Sequence, residues 1–107
     1  MELTGRQRRY LRSIGQRLSP VVTVGRTGLS GSVMRAIDRA LEDHELIKVR
    51  LGRECEIERK EAAQRISELS RSALAQVVGK TMLLYRRRRE DPEIELPAAG
   101  PRDGAEP

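Results

Sequence analysis

Gly25-Arg26-Thr27-Gly28 has the residue types and the spacing to hold a phosphate group. Glycine lets a backbone turn through φ > 0 and lets a ligand approach the amides without meeting a Cβ. Arg26 adds a full positive charge, and Thr27 and Ser30 bring hydroxyl groups. The loop follows a β-branched run, Val21-Val22-Thr23-Val24, and precedes a helical pattern that begins near Gly31. A helix start carries unpaired N–H groups and a partial positive charge. Loop and helix together therefore predict an anion seat in which the amides of residues 26–30 face a sugar-phosphate oxygen. An ordinary strand-to-helix turn can show the same two glycines, so the surrounding charge has to decide.

Other reactive side chains are sparse. His44 is the only histidine, and it follows Glu42-Asp43 at a helix end, where capping or charge pairing is its common role. Cys55 stands alone, which excludes a disulfide within the chain and a cysteine metal cluster. No Gly-Lys-Ser/Thr closes the glycine loop as in a Walker A motif, and Gly79-Lys80-Thr81 lacks the earlier glycine. The sequence predicts no enzyme, no catalytic residue, no metal and no cofactor.

Charge favours the anion reading. The chain of 107 residues is large enough for one domain and carries a net charge of +5 with a pI near 10.1. Arginine is abundant, at 18 against 3 lysines, so the distribution says more than the total. Residues 1–37 hold seven arginines and one acidic residue, Glu2, giving this third of the chain +6 and the rest −1. The excess flanks the glycine loop and suits an anionic partner. The N-terminus lacks the apolar region of a signal peptide and no apolar run reaches membrane-spanning length, so a soluble protein of the reducing cytoplasm is expected.

The elements that would position the loop can be read in order. Thr4-Gly5-Arg6-Gln7 has capping-box spacing. After it Leu3, Gln7, Tyr10, Leu11, Ile14 and Leu18 form the stripe of a basic first helix that Ser19-Pro20 ends. A short strand covers 20–24. Ser30 is the predicted N-cap of a second helix from Gly31 to Asp43, with Val33, Ile37, Ala40 and Leu41 buried. Residues 46–51 alternate as a strand, with Lys48 and Arg50 on a basic open face. A third helix is predicted near 56–72, with Ala62, Ile66, Leu69 and Ala73 inward. Strands at 74–78 and 81–85 flank Gly79-Lys80, a two-residue loop suited to a II′ turn. The expected fold is an α/β (α+β) two-layer sandwich: a helix, then β-α-β-α-β-β, with a four-stranded mixed sheet and helices on one face. The domain is expected to span 1–97, with a disordered Pro- and Gly-rich tail at 98–107.

Four segments resemble one family, the CRM (chloroplast RNA splicing and ribosome maturation) domain, and within it the small stand-alone bacterial YhbY-type RNA-binding proteins. They are Leu3-Thr4-x-x-Gln7; Pro20-Val21-Val22-x-Val24-Gly25-x-x-Gly28-Leu29; Ala40-Leu41-Glu42-x-His44-Glu45-Leu46-Ile47-Lys48-Val49; and Gln76-Val77-Val78-Gly79-Lys80-x-x-x-Leu84-Tyr85-Arg86. The resemblance covers roughly residues 3–97. It implies a fold similar to the C-terminal domain of bacterial translation initiation factor three, RNA contact through the Gly25–Gly28 loop, and association with precursors of the large ribosomal subunit. Members often carry Thr-Gly-Ala at the end of the third helix, where this chain has Ser70-Arg71-Ser72-Ala73.

The predicted contact set is Gly25, Arg26, Thr27, Gly28 and Ser30, with Arg8, Arg12, Arg35, Lys48, Arg50, Lys80 and Arg86 around it. RNA, ribosomal RNA of large-subunit precursors in particular, is the expected partner of a monomer, with no membrane and no small-molecule substrate. With no Phe or Trp and only Tyr10 and Tyr85, binding by stacked bases is not expected. Two alternatives stay open: a module whose acids (Asp38, Glu42, Glu61, Glu68) dock basic ribosomal proteins, and a general nucleic-acid-binding protein.

Overall fold

In the computed structural model, which describes residues 2–98, three helices and four strands follow one another in the predicted order. The tail expected from residue 98 lies, beyond Ala98 itself, outside the described residues. Helix α1 (Gly5–Gly15) starts on the capping box: the Gln7 amide donates to Thr4 Oγ1 at 3.0 Å and the Thr4 amide donates to Gln7 Oε1 at 3.1 Å. It stops at Gly15, short of Leu18. A Cβ at position 15 would stand 3.0 Å from both Leu83 methyl groups, so the glycine lets this helix end lie against the sheet.

Strands β1 (Pro20–Val24), β2 (Leu46–Leu51), β3 (Ala73–Val78) and β4 (Thr81–Tyr85) form one sheet in the order β1-β2-β4-β3. The β1–β2 pair is parallel, and β4 runs antiparallel to both β2 and β3. The strand directions are those predicted; the hairpin folds back so that β4 lies between β2 and β3. Gly79, at φ +58, and Lys80 make the tight connection.

One expectation is overturned: the helices are not all on one face. Helices α2 (Gly31–His44) and α3 (Arg59–Ser70) cover the face carrying Val24, Ile47, Val49, Leu51, Met82 and Leu84. Helix α1 covers the other, where Leu11 packs with Leu46, Leu83, Tyr85, Ala73 and Ala75. The cause lies in β4, whose Met82-Leu83-Leu84-Tyr85 is apolar on both sides and so needs cover on both. Lys48 and Arg50 share α1's face, and only its half near Arg50 stays open.

Helix α3 is also shorter than predicted. Glu58 caps its start, and Arg71 ends it in the left-handed region at φ 57, with Ser72 N–H bonded to the Ser67 carbonyl at 3.0 Å. Ala73 therefore begins β3, and Leu69 lies exposed while Ala63 and Ser70 are buried.

Past Tyr85 the chain runs without regular structure and is fastened by one buried side chain. Glu45, at the end of α2, is 1% exposed, and its carboxylate accepts the amides of Arg88, Glu93 and Ile94 at 2.8, 2.7 and 2.9 Å. Ile94 and Leu96 then pack beside α1, and Gln7 Nε2 donates to the Pro97 carbonyl at 3.0 Å.

Candidate nucleic-acid interface

Parallel strands bring loops to a common end. β1 and β2 both run toward it, and β3, antiparallel to β4, ends there as well. Loop 25–30, loop 52–58 and the Gly79-Lys80 turn therefore meet outside the carboxyl ends of the strands, the usual ligand position in open α/β sheets. They are tied together: Gly52 N–H donates to the Val24 carbonyl and Leu51 N–H to the Lys80 carbonyl, both at 2.8 Å. Arg59 Nη1 donates to the Gly79 carbonyl at 3.2 Å.

The two glycines of the loop differ in why they are glycine. Gly28 sits at φ +67, its amide bonded to the Gly25 carbonyl at 3.0 Å, and a Cβ there would meet Ile57 Cδ1 at 3.4 Å. The turn itself demands it. Gly25 is different: a Cβ there would meet nothing within 4 Å, and its φ is not positive. The fold leaves open space above Gly25.

Two helices begin at this end and only one offers its dipole freely. At α3 the Glu58 carboxylate accepts the amides of Lys60 and Glu61 at 3.1 and 3.2 Å. Those two bonds hold its pKa below the ordinary value. At α2 the cap is the neutral Ser30, whose hydroxyl oxygen accepts the Val33 amide at 3.3 Å, and no acid lies in the first turn. Ser30 is thus used first as a cap, with its hydroxyl proton left to donate. An anion at this end meets repulsion at α3 and attraction at α2.

Most predicted residues gather here. Arg26 and Thr27 are exposed on the turn, Lys80 is exposed on the hairpin, and Arg35 reaches back to within 3.2 Å of a Cβ at Gly31. Arg50 is exposed on the open half of the sheet, level with Thr23 and Thr81. Lys48 is half-buried on the same face, with Nζ 3.5 Å from the Gln16 carbonyl. Arg8 and Arg12 lie one turn apart on α1, half-buried and beyond the reach of the loop's own helix, which packs on the opposite face of the sheet.

Arg86 is not brought to this end. It leaves β4 at the far side of the sheet and holds Asp38 Oδ1 at 2.8 Å, the Ser70 carbonyl at 2.9 Å and Glu42 Oε2 at 3.4 Å. That engagement also takes up acids considered for a basic protein partner. Glu61 and Glu68 have neighbours too, Arg65 at 3.7 Å and Gln64 at 2.7 Å. Glu54, which the sequence offers as a carboxylate at the start of the third helix, lies before that helix and beside the glycine turn instead. Glu54 Oε2 lies 3.5 Å from Arg26 Nη2, across a gap of sequence that no local spacing bridges.

Tyr85 is buried and Tyr10 is partly exposed on α1, so the loop end carries no aromatic side chain for stacking. Among the described residues no group of His, Cys, Asp and Glu could hold a metal, and no helix is long and apolar enough to cross a membrane.

Comparison with known proteins adds a family and several relatives. The family model for the CRS1 / YhbY (CRM) domain matches residues 3–86. The chain is 41% identical over 95 residues to the "Probable RNA-binding protein YqeI" of Bacillus subtilis, covering 89% of this chain and 99% of that one. It is 33% identical over 95 residues to a Haemophilus influenzae "RNA-binding protein", covering 89% and 95%. The solution structure of the hypothetical protein SAV1595 from Staphylococcus aureus superposes with a TM-score of 0.76 at 42% identity, over 89% of this chain and 99% of that one.

Proposed function

The chain belongs to the CRS1 / YhbY (CRM) domain family, and on that premise we propose that it binds RNA, contacting ribosomal RNA during assembly of the large ribosomal subunit. The observation that carries the site is the open space above Gly25, at a position whose backbone does not require glycine, beside a helix start with a neutral cap. A phosphodiester oxygen seated there accepts loop amides, while Arg26, Arg35 and Lys80 pair with neighbouring phosphates. The names of the relatives support RNA as the nucleic acid. The ribosomal part rests on the family resemblance. The protein acts as a cytoplasmic monomer, without catalysis.

Glycine loops of this kind clamp the nucleic-acid backbone and leave base reading to other surfaces. With stacking absent at this end, affinity is mostly electrostatic and falls steeply with salt. Arg50 on the open half of the sheet face, with the half-buried Lys48 beside it and Arg8 and Arg12 on α1, extends the basic surface along the same side of the sheet.

The test is Gly25→Asp. The new side chain has room and an ordinary φ, so folding by circular dichroism stays intact. The carboxylate repels phosphate and covers the amides, and RNA affinity falls about tenfold, the equivalent of about 1.4 kcal/mol. Unchanged affinity at physiological salt would move the contact to Arg8, Arg12, Lys48 and Arg50. Co-sedimentation with ribosomal particles, followed by identification of crosslinked RNA, names the RNA bound.

A further inference from the structure

Glu54 pairs with the cation of the glycine turn. Its carboxylate is 3.5 Å from Arg26, the one cation within the Gly25–Gly28 turn, and both side chains face solvent, 64% and 79% exposed. The placement is held from below. Gly52 N–H is bonded to the Val24 carbonyl, and a Cβ at Gly52 would lie 3.2 Å from that oxygen, so loop 52–58 is pressed against the base of the glycine turn. Cys55 N–H returns to the Gly52 carbonyl at 3.1 Å, and Cys55 is buried, which fixes the tight turn that carries Glu54. The other acids of the segment have other placements: Glu58 caps α3, and Glu56 is exposed without an ion pair among the described residues.

We propose that Glu54 is a selectivity residue for the RNA site: an internal counter-ion that occupies Arg26 until a ligand supplies a phosphate able to displace it. The proposal rests on the RNA-binding reading of the loop and deepens it. An isolated or loosely held anion gains Arg26 only by giving up the Arg26–Glu54 pair and meeting the Glu54 charge. A backbone that fills the Gly25 space and reaches Lys80 or Arg50 at the same time offsets that cost with its other contacts. Specificity is a difference of affinities, and a repulsive group placed against the weaker ligand widens it. Glu54 therefore lowers binding to flexible, unstructured polyanions more than binding to a folded RNA that fits the whole surface.

The experiment is a double-mutant cycle on the full chain with Glu54→Gln and Arg26→Ala, with Glu56→Gln as the charge-matched control. Binding is measured to poly(U) and to deproteinised large-subunit ribosomal RNA. Glu54→Gln is expected to tighten poly(U) binding about three- to fivefold, the scale of an exposed ion pair, and ribosomal RNA binding by less. In the Arg26→Ala background the same substitution should change affinity by less than about 1.5-fold, because the pair is already gone. Equal gains from Glu54→Gln and Glu56→Gln, or an undiminished gain without Arg26, would reduce Glu54 to general charge and overturn the proposal. Equal tightening on both RNAs would overturn its selectivity. A Gly25→Asp variant that binds RNA normally fails the loop reading itself, and that result is separate from the outcome of the cycle.

Discussion

A carboxylate removed from water is tolerable only where hydrogen bonds replace its hydration. Burial alone would raise the pKa of Glu45, but the amides of Arg88, Ile94 and Glu93 outweigh it and hold the pKa below the ordinary carboxylate value of 4.5. A depressed folded-state pKa adds stability that is full above the unfolded value and is lost as pH falls through the folded one. The contact of residues 88–94 with the domain should therefore hold at neutral pH and loosen only below about pH 4.5. Glu45→Gln puts an N–H₂ among three donors. It is expected to cost about 1–3 kcal/mol in chemical denaturation and to flatten stability against acid. Unaltered acid sensitivity in that variant would move the origin of the acid transition to another carboxylate. The sequence placed Glu45 correctly between helix and strand, yet nothing in it pairs position 45 with 88, 93 and 94.

At the scale of elements, the end of α3 rests on a non-glycine residue in the left-handed region. Arg71 adopts φ 57, a conformation glycine takes at little cost and other residues at roughly 1 kcal/mol. Arg71→Gly should raise stability by about 0.5–1 kcal/mol in urea denaturation, leaving the site at the opposite end unchanged. A loss of stability would mean that the exposed arginine makes a compensating contact. Element order, strand directions, the capping box and the Ser30 cap were legible because each depends on neighbours within a few residues. The placement of α1 was not, because which face a helix covers depends on strands far along the chain. The one local clue was Met82-Leu83-Leu84-Tyr85, too apolar for a strand with a wet side. Leu69 misled for the opposite reason: its period fits a helix continued to residue 72, and the left-handed Arg71 stops that helix early. At the candidate site, the glycine turn could be located from its spacing, while the contacts of Arg86 and Glu54 are made only by the fold.

Across the whole molecule, arginines at the two ends of the sheet are engaged differently. The loop end keeps Arg26, Lys80, Arg35 and Arg50 toward solvent, and the far end spends Arg86 and Arg88 on Asp38, Glu42, Glu93 and the last carbonyls of α2. Arg87 and Arg89 stay exposed at that far end too, so the contrast lies in Arg86 and Arg88 alone. The strand order β1-β2-β4-β3 has one more consequence, which concerns synthesis on the ribosome. The strand that both β2 and β3 need as a neighbour is the last to be made. Until Tyr85 has emerged, the nascent chain can pair only β1 with β2, a parallel pair whose faces have no central partner. Folding is therefore expected to wait for nearly the complete domain and then proceed in one step. A chain ended after Gly79 should give the circular dichroism of an unfolded polypeptide, while one ended after Pro97 should unfold cooperatively. A cooperative transition in the shorter chain would show that helices and strands can assemble without the central β4.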